Sequence, residues 1–492
     1  MSDQQIVLAG VGLYLVGMLV IGIFAARRVG SAAEFVVAGR RLPLWLCTST
    51  LVATWMSAGT VMGAAGAAYE DGFLGVIAVP FAAALVLVLI GLFFARMLRR
   101  LRLLTVVGFF KSRYGDTAGM LAAVAISVSH VAWAGAQLVA FGYILHALVG
   151  VSTTAGVLVA TVIVLVYTTA GGMWAVAVTD FAQVLILTAG LVLLLPIVIS
   201  DLGGVGVVMA ALPEGSFRII PRQHDLGSWL NYARAWAIVA LGSLSSQSIL
   251  QRTFSSRDES VSQNSAYLAA IGYLTVGMIP VFLGMVGAIA LPGLVDPEFV
   301  VPELAMRHLH PVAMAIFAGA LLSAIMSSAD SALLAPASIV AADIVPFFFP
   351  RVSDRTRLMT ARLAVPVFGF TALAIALYVR TIYSLMLDAA SITLVCLAAP
   401  FIAGIWWSKA NRFGTLAGMI AGVTTWLASS MLFPTLPADL FGLLASALGL
   451  LIATPLTQGV DPPWPLRDVD GNVVPLRDRL GILSPFARAA RS

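Results

Sequence analysis

The stretch Ser-Ala-Ile-Met-Ser-Ser-Ala-Asp-Ser, residues 323–331, places one carboxylate and several hydroxyls in the middle of an apolar run over 311–344. Steps of three or four residues bring side chains to the same face of a helix, and such a step relates Ser327 to Asp330. A serine stripe alone is more often a packing surface between membrane helices. The carboxylate in the stripe favours a site for a hard monovalent cation, completed by carbonyls of an unwound helix.

The composition of the whole chain is that of a polytopic membrane protein. Of its 492 residues, 60% are hydrophobic and only 10% are charged, and the mean hydropathy is +0.99. Soluble domains carry about 25% charged residues, so this chain cannot cover a surface that faces water. The composition therefore excludes a disordered protein, a cytosolic enzyme and a nucleic-acid-binding protein, and it makes the lipid bilayer the expected environment.

Apolar runs separated by charges and by Gly/Pro turns predict thirteen membrane helices. The first follows no basic n-region and is interpreted as a span rather than as a cleaved signal peptide. The predicted spans are 6–26, 44–68, 74–95, 117–148, 151–170, 174–199, 229–250, 264–291, 311–344, 358–379, 381–407, 413–433 and 440–456.

The distribution of basic residues predicts the orientation of these spans. Loops assigned to the inside, including 252–263 and the tail 457–492, hold 23 Lys and Arg residues, against four outside. By the positive-inside rule, the N-terminus is outside and the C-terminus is cytoplasmic, in a plasma or inner membrane. Residues 1–456 form a single transmembrane domain in this interpretation. No nucleotide-binding G-x-x-x-x-G-K-[ST] motif occurs, so an ion gradient is expected to drive any uptake.

Small and polar residues interrupt two spans at corresponding places. Residues 53–66 interrupt the second span, and residues 242–248 interrupt the seventh. Interruptions five spans apart are typical of two inverted five-helix repeats, here about 44–199 and 229–407, with broken helices and a binding site at the midplane. Simple packing of Gly and Ser between helices explains either interruption alone, but explains the pair less well.

Further acidic and aromatic residues fall inside predicted spans. Asp180 opens the sixth span and Asp388 lies in the eleventh, where each is either functional or a satisfied, neutral carboxyl. Trp55 and Trp133 lie deep in their spans, although tryptophan usually belongs at the membrane interface. A lone tryptophan is more often packing than ligand wall, but tryptophan faces also attract ammonium groups.

At these residues the sequence resembles the sodium/solute symporter family, which has the LeuT-like five-plus-five fold. The resemblance extends from about residue 6 to 433 and is nearest to the high-affinity choline transporter branch. Its most specific parts are Gly39-Arg40-Arg41-Leu42-Pro43, the run Gly171-Gly172-x-x-Ala175-Val176-x-x-Thr179-Asp180-x-x-Gln183, the pair Gln251-Arg252, and Met326-Ser327-Ser328-Ala329-Asp330-Ser331.

The resemblance implies two cation sites. The main sodium ion would lie between the carbonyls of Ala53 and Met56, the carbonyl of Ala324, and the hydroxyls of Ser327 and Ser328. A second cation position maps onto Asp180, Ser327, Asp330 and Ser331.

The resemblance also implies a substrate site for a small organic solute, cationic or zwitterionic. Of the four aromatic positions that surround the ammonium group in the choline branch, two match Trp55 and Trp133. The other two fall on Ala83 and Ser246, so the aromatic cage is incomplete. The expected substrate contacts are Trp55, Trp133, Ser246 and Gln247.

The leading hypothesis is a sodium-coupled symporter that imports this solute by alternating access. One alternative is proton coupling with Asp180 or Asp330 as the carrier. Another is a sensor that uses the transporter fold, which the short tail disfavours. A membrane enzyme is disfavoured because the chain has no Ser/His/Asp set and no His-rich metal pattern.

Overall fold

The computed structural model describes residues 3–474 except 224, 379–381 and 469. Within these residues the secondary structure is helical and no β-strand is formed. Two isolated β-bridges join Leu42 to Ser256 and Arg467 to Val473. In chain order the helices are α1 Gln4–Ala26, α2 Ala32–Val37, α3 Leu44–Trp55, α4 Gly59–Leu74, α5 Ile77–Arg100, α6 Val106–Tyr114, α7 Asp116–Leu148, α8 Thr153–Asp201, α9 Val205–Ala211, α10 Leu226–Ala240, α11 Gln247–Ser255, α12 Glu259–Ala290, α13 Val300–His308, α14 Pro311–Phe348, α15 Asp354–Tyr378, α16 Tyr383–Trp406, α17 Arg412–Leu432 and α18 Ala438–Thr457.

The described helices agree with the predicted thirteen spans. Ten of them are long and apolar enough to cross a membrane, and α3 with α4 forms one more span, bent by 56°. Helix α8 leaves helical geometry at Gly172 (φ 49°, ψ −144°). Its 49 residues would extend about 73 Å, more than twice the thickness of the hydrocarbon core, so α8 is two crossings. Helices α10 and α11 together form the thirteenth crossing, which is interrupted between them.

Both predicted interruptions are breaks in the helical backbone. Helix α3 ends at Trp55 and α4 begins at Gly59, while a 3₁₀ turn over Gly242–Ser245 separates α10 from α11. Both breaks lie against α16: a Cβ at Gly59 would be 2.1 Å from Met386 Sδ, and one at Gly242 would be 2.8 Å from the Ala390 carbonyl oxygen. Glycine is therefore needed at 242, where the clash is with backbone, whereas a side chain at 59 would require the Met386 side chain to move. The paired breaks give the LeuT-like inverted-repeat fold.

The far ends of the two broken helices are tied together. The Leu42 backbone N–H donates to the Ser255 carbonyl over 3.1 Å, and the Arg257 N–H donates to the Leu42 carbonyl over 3.0 Å. The Arg99 Nε at the end of α5 donates to the Ser256 carbonyl over 2.6 Å. The start of α3 and the end of α11 therefore form one hydrogen-bonded unit.

One part of the predicted loop assignment is wrong. Arg252, counted with the inside loop 252–263, lies within α11 and is fully buried. The charge that suggested a loop is balanced by a buried carboxylate, as described below. Without Arg252 the inside loops hold 22 of the basic residues, so the predicted orientation keeps its basis. Arg380, one of the four outer arginines, and the tail from 475 onward lie outside the described residues.

Candidate functional site

Oxygen atoms from the α3 break and from α14 meet at the predicted main cation site. The Ser327 hydroxyl oxygen lies 3.1 Å from the Ala53 carbonyl oxygen and 3.0 Å from that of Ala324. The neighbouring Ser328 hydroxyl donates to the carbonyl of Thr54 over 3.1 Å. Both serines are buried, so these neutral oxygens form a compact cluster shielded from water.

Two further backbone carbonyls belong to the α3 break, those of Met56 and Thr54. Met56 follows the last helical residue of α3 with φ −73° and ψ 65°, so its carbonyl has left the regular helical ladder. The carbonyl of Thr54 was not among the predicted ligands, yet it accepts the Ser328 hydroxyl. Sequence spacing cannot show which carbonyl of a broken turn faces a neighbouring helix.

The carboxylates of the predicted second cation site are buried and hydrogen-bonded. Tyr167 donates its hydroxyl to Asp330 Oδ2 over 2.8 Å, and the Ser331 hydroxyl lies 3.2 Å from Asp330 Oδ1. Asp180 Oδ2 accepts the hydroxyl of Thr50. The structure thus places both aspartates close to Ser331, at the contact of α3, α8 and α14.

Arg252 is a charged member of this site that the sequence reasoning assigned to a loop. Its Nη2 lies 3.4 Å from Asp180 Oδ2 and also donates to the Ser331 hydroxyl. Its Nε donates to Thr50 Oγ1 over 3.2 Å, and its Nη1 donates to the Ser248 carbonyl over 2.6 Å. The available signal was the Gln251-Arg252 pair within the family motifs.

The charges of this group do not balance when all are ionised. Asp180 and Asp330 carry two negative charges, and Arg252 supplies one positive charge. All three side chains are fully buried, and an uncompensated buried charge is strongly destabilising. One further positive charge, from a cation or a proton, would complete the balance.

A cavity lies between the two helix breaks. It encloses about 670 Å³ free of protein atoms, including its open mouth. Three of the four predicted substrate contacts line it: Trp55, Trp133 and Ser246. No Asp, Glu, Lys or Arg is among the lining residues, which are Thr54, Trp55, Ser57, Thr60, Val79, Ser129, His130, Trp133, Val239, Ser243, Ser246, Ser248, Ile249, Met386, Leu387, Ala389, Ala390 and Thr393.

The fourth predicted substrate contact, Gln247, lies away from this cavity. Its side-chain Oε1 accepts the backbone N–H of Val106 over 2.7 Å and so joins the start of α11 to α6. Ala83, at one of the aromatic positions of the choline branch, is also absent from the lining, and Val79 lines the cavity from the same segment. After a break, the rotational position of the new helix depends on tertiary packing, which the sequence pattern does not contain.

Helix ends give the cavity its electrostatic character. Helices α3 and α10 end at the cavity with their partially negative C-termini, whereas α4 and α11 begin there with partially positive N-termini. The indole Nε1 of Trp55 has no hydrogen-bond partner among the described residues. The cavity therefore offers partial charges, aromatic faces and hydroxyls rather than a full counter-charge.

Two residues that the sequence reasoning passed over support the cavity wall. Tyr273 donates its hydroxyl to Thr60 Oγ1 over 2.7 Å, and Thr60 in turn donates to the Trp55 carbonyl over 2.7 Å. The Tyr273 and Trp55 rings lie 5.9 Å apart. His130 lines the cavity beside Trp133, with ring centroids 6.0 Å apart. A lone tyrosine or histidine in a long span carries no signal of such a role.

Asp388, the third acidic candidate, lies on the face of α16 opposite the cavity lining and is exposed. Nearby, Arg234 binds Asp439 with its Nε, at 3.0 Å from Oδ1 and 2.8 Å from Oδ2. Asp439 also accepts the Ser391 hydroxyl over 3.3 Å. These contacts join α10, α16 and α18 behind the cavity and give Arg234 a structural partner.

Two helices that break against the same helix, α16, and share a cavity define the class of secondary transporters built on the LeuT-like inverted repeat. Residues 35–422 match the Sodium:solute symporter family, and the chain belongs to this family. The family and the relatives below are transporters, so the chain is a multi-pass membrane transporter and not an enzyme.

Known relatives differ in the solutes that their names state. The human high affinity choline transporter 1 is 29% identical over 432 residues, which is 82% of this chain and 73% of the relative. The osmoregulated proline transporter OpuE of Bacillus subtilis (strain 168) is 25% identical over 482 residues, 91% of this chain and 94% of the relative. Both names state the transport of a small solute, but they do not agree on one solute.

Solved structures confirm the fold. A Na⁺-coupled sialic acid symporter in a substrate-bound outward-open state superposes with a TM-score of 0.80 at 19% identity, covering 92% of this chain and 98% of its own. MhsT in complex with L-phenylalanine gives a TM-score of 0.55 at 16% identity, covering 84% of this chain and 98% of its own. At such identities the likeness concerns the fold and does not identify the substrate.

Proposed function

We propose that the protein couples the inward movement of sodium to the import of a small organic solute that carries an ammonium group. This proposal rests on the α3 break, because residues of this break contribute both to the predicted sodium site and to the cavity. The carbonyls of Ala53 and Thr54 face the serine hydroxyls of α14, while the side chains of Thr54, Trp55 and Ser57 line the cavity. An ion that fixes this turn also fixes part of the substrate site, and the coupling is reciprocal.

The main sodium site comprises the carbonyls of Ala53, Met56 and Ala324 and the hydroxyls of Ser327 and Ser328. The hydroxyl protons of both serines point at carbonyls of the break or of their own helix. A sodium ion would attract all these oxygens together, and the hydroxyl protons would turn away from it. The contacts of the Ser327 hydroxyl with the carbonyls of Ala53 and Ala324 support this assignment, and Met56 is included because its backbone leaves helical geometry at the end of α3.

A second cation site comprises Asp180, Ser327, Asp330 and Ser331. The excess of one buried carboxylate over the Arg252 guanidinium supports it, because a second sodium ion would balance that charge. Proton coupling is the competing function, since a proton on Asp330 or Asp180 would restore the same balance. Uptake that follows pH and ignores replacement of sodium by potassium would favour the proton.

For the solute, the cavity favours a group that binds through aromatic faces and hydroxyls. Trp55, Trp133 and Ser246 line the cavity; the ring faces of tryptophan attract ammonium groups, and serine offers a hydroxyl. The human choline transporter among the relatives supports an ammonium compound. Gln247, occupied at Val106, is left out of the proposed contacts in this conformation.

We also propose the orientation of the membrane spans that the distribution of basic residues predicts. The N-terminus would lie outside and the tail from 457 in the cytoplasm, in a plasma or inner membrane, with residues 1–456 as one transmembrane domain. A cysteine placed at either end and labelled by a reagent that does not cross the membrane would test the orientation.

The test of sodium coupling is a thermal-shift screen of the purified protein followed by uptake into proteoliposomes. Amines, betaines, amino acids, carboxylates and sugars are compared in sodium buffer and in potassium buffer. We expect at least one ammonium compound to stabilise the protein in sodium only. Ser328→Ala should remove this sodium dependence. Ser323→Ala is the matched control, because Ser323 lies on the same helix and bonds Gly319 and Tyr14 rather than the α3 break.

Two outcomes would reject the sodium proposal. Equal stabilisation in both buffers would favour proton coupling. A Ser328→Ala protein with unchanged sodium dependence would show that the assigned oxygens do not hold the ion.

A further inference from the structure

The N-terminus of α11 is capped by a residue from another helix. Ser246 stands at the N-cap position but makes no capping hydrogen bond with its side chain; its hydroxyl lies 3.0 Å from that of Ser248. The backbone N–H of Ser248, one of the first in the helix, donates instead to His130 Nε2 over 3.3 Å. His130 therefore satisfies an N–H that a helix cannot satisfy itself.

The imidazole is held as a neutral hydrogen-bond acceptor. His130 Nδ1 lies 2.8 Å from the carbonyl oxygen of Ile126, one turn earlier in α7. Because a carbonyl only accepts, Nδ1 carries the proton and Nε2 presents its lone pair to the Ser248 N–H. The side chain is 3% exposed and packs edge-on against Trp133. Its orientation is fixed from two sides.

The Ser248 backbone is also held from the opposite direction. Its carbonyl accepts the Arg252 Nη1 over 2.6 Å, and Arg252 is anchored by Asp180 and Thr50. With the N–H bound to His130 and the carbonyl bound to Arg252, this residue has no free backbone group to offer a solute.

The start of a broken helix is where an anionic group of a substrate would bind, because the N–H groups and the helix dipole favour negative charge there. Here the lone pair of His130 occupies one of these groups, the N–H of Ser248. We propose that His130 is a specificity-determining residue: it substitutes for a substrate carboxylate at the start of α11, and so selects ammonium alcohols against ammonium carboxylates. This inference rests on the proposed ammonium-solute function and narrows it to cations without a carboxylate.

Choline and glycine betaine are a matched pair of probes. Both carry a trimethylammonium group, and they differ in an alcohol against a carboxylate. Their dissociation constants are measured by isothermal titration on the purified full-length protein in sodium buffer and again in potassium buffer. The variants are His130→Ala, which frees the Ser248 N–H, and His130→Gln, whose amide oxygen keeps an acceptor. His146→Ala is the control, because His146 is exposed on the same helix and bonds Val151.

We expect the wild type and the His146→Ala variant to prefer choline by about tenfold or more, since a hydrogen bond to a charged group has roughly this effect. His130→Ala should shift the ratio of the two constants about tenfold toward betaine, and His130→Gln should shift it less. A merely structural role would weaken both ligands alike and leave the ratio unchanged.

Several results would overturn the inference. They are an unchanged ratio in His130→Ala, an equal shift in His130→Gln, and a wild type that binds betaine as tightly as choline or binds neither. If His130→Ala does not fold, the ratio of the two dissociation constants measured on the wild type still tests the inference. Failure of the proposed sodium coupling is a separate readout: binding would then be equal in sodium and potassium, whatever the ratio of the two ligands.

Discussion

The buried pair of Arg252 and Asp180 gives the sharpest test of the energetics of the site. The two charged atoms are 3.4 Å apart, and neither side chain has any exposed surface. With an effective dielectric constant of about 20, two unit charges at this distance attract by about 5 kcal/mol. Removal of one partner from a buried pair typically destabilises a protein by about 3–5 kcal/mol, because the other charge remains buried and unpaired.

The perturbation is a double-mutant cycle of Arg252→Met and Asp180→Asn. We expect Arg252→Met, which leaves the carboxylates of Asp180 and Asp330 without a guanidinium, to lower the free energy of unfolding by about 3–5 kcal/mol. Asp180→Asn should lower it less, because Asp330 remains as a buried counter-charge that shares Ser331 with Arg252. The double variant should be less destabilised than the sum of the two, by about 3 kcal/mol or more, because the attraction between Arg252 and Asp180 is lost in each single variant and is therefore counted twice in their sum. The assay is unfolding by SDS in mixed micelles, followed by tryptophan fluorescence.

A control cycle uses the exposed pair that lies a few residues further along the chain. Arg257 and Asp258 are 3.2 Å apart, with side chains 61% and 50% exposed. Exposed pairs contribute about 0–1 kcal/mol, so Arg257→Met and Asp258→Asn should be nearly additive. If the Arg252 and Asp180 variants are additive to the same degree, the electrostatic account of the site is wrong.

Three further predictions concern packing, pH and the tail. Gly59→Ala should reduce transport, because its Cβ would lie 2.1 Å from Met386 Sδ and would move this side chain, which lines the cavity; Met386→Ala in the same protein should restore part of the uptake. Burial raises the pKa of Glu298, although the Tyr383 N–H that it accepts opposes the shift. The protonated acid is thus favoured in the folded protein, so the melting temperature should fall as the pH rises through the raised pKa, and Glu298→Gln should flatten this dependence. Arg113→Ala removes donors to the Gly404 and Trp464 carbonyls and should increase proteolysis of the tail at limiting protease, with little change in solute affinity.

The sequence was informative where the signal is local along the chain. Hydropathy located the spans, and small polar residues at 53–66 and 242–248 located both breaks, because a helix can be interrupted at membrane depth only where its free backbone groups find partners. Asp330 and its neighbouring serines were predicted as one cluster, since their helical spacing determines which side chains share a face.

The residues that sequence reasoning misplaced depend on contacts between distant segments. Arg252 was assigned to a loop because a charge normally marks the end of a span, but it is compensated by Asp180, 72 positions away along the chain. Gln247 was expected at the cavity, yet packing turns it toward Val106. His130 was passed over because the helix end that it caps is reached only in the folded protein.

The contacts at the α3 break suggest how an ion would change the conformational balance. Helix α14 is joined to this break by hydrogen bonds from Ser327 and Ser328 to backbone carbonyls. Neutral hydrogen bonds of this kind contribute about 0.5–1.5 kcal/mol each, so the contact is easily separated. A sodium ion would bind the same oxygens through its full charge and join both helices more strongly. Because Trp55 continues the same turn into the cavity wall, we infer that sodium organises the aromatic face for the solute, and that loss of the ion loosens both sites together.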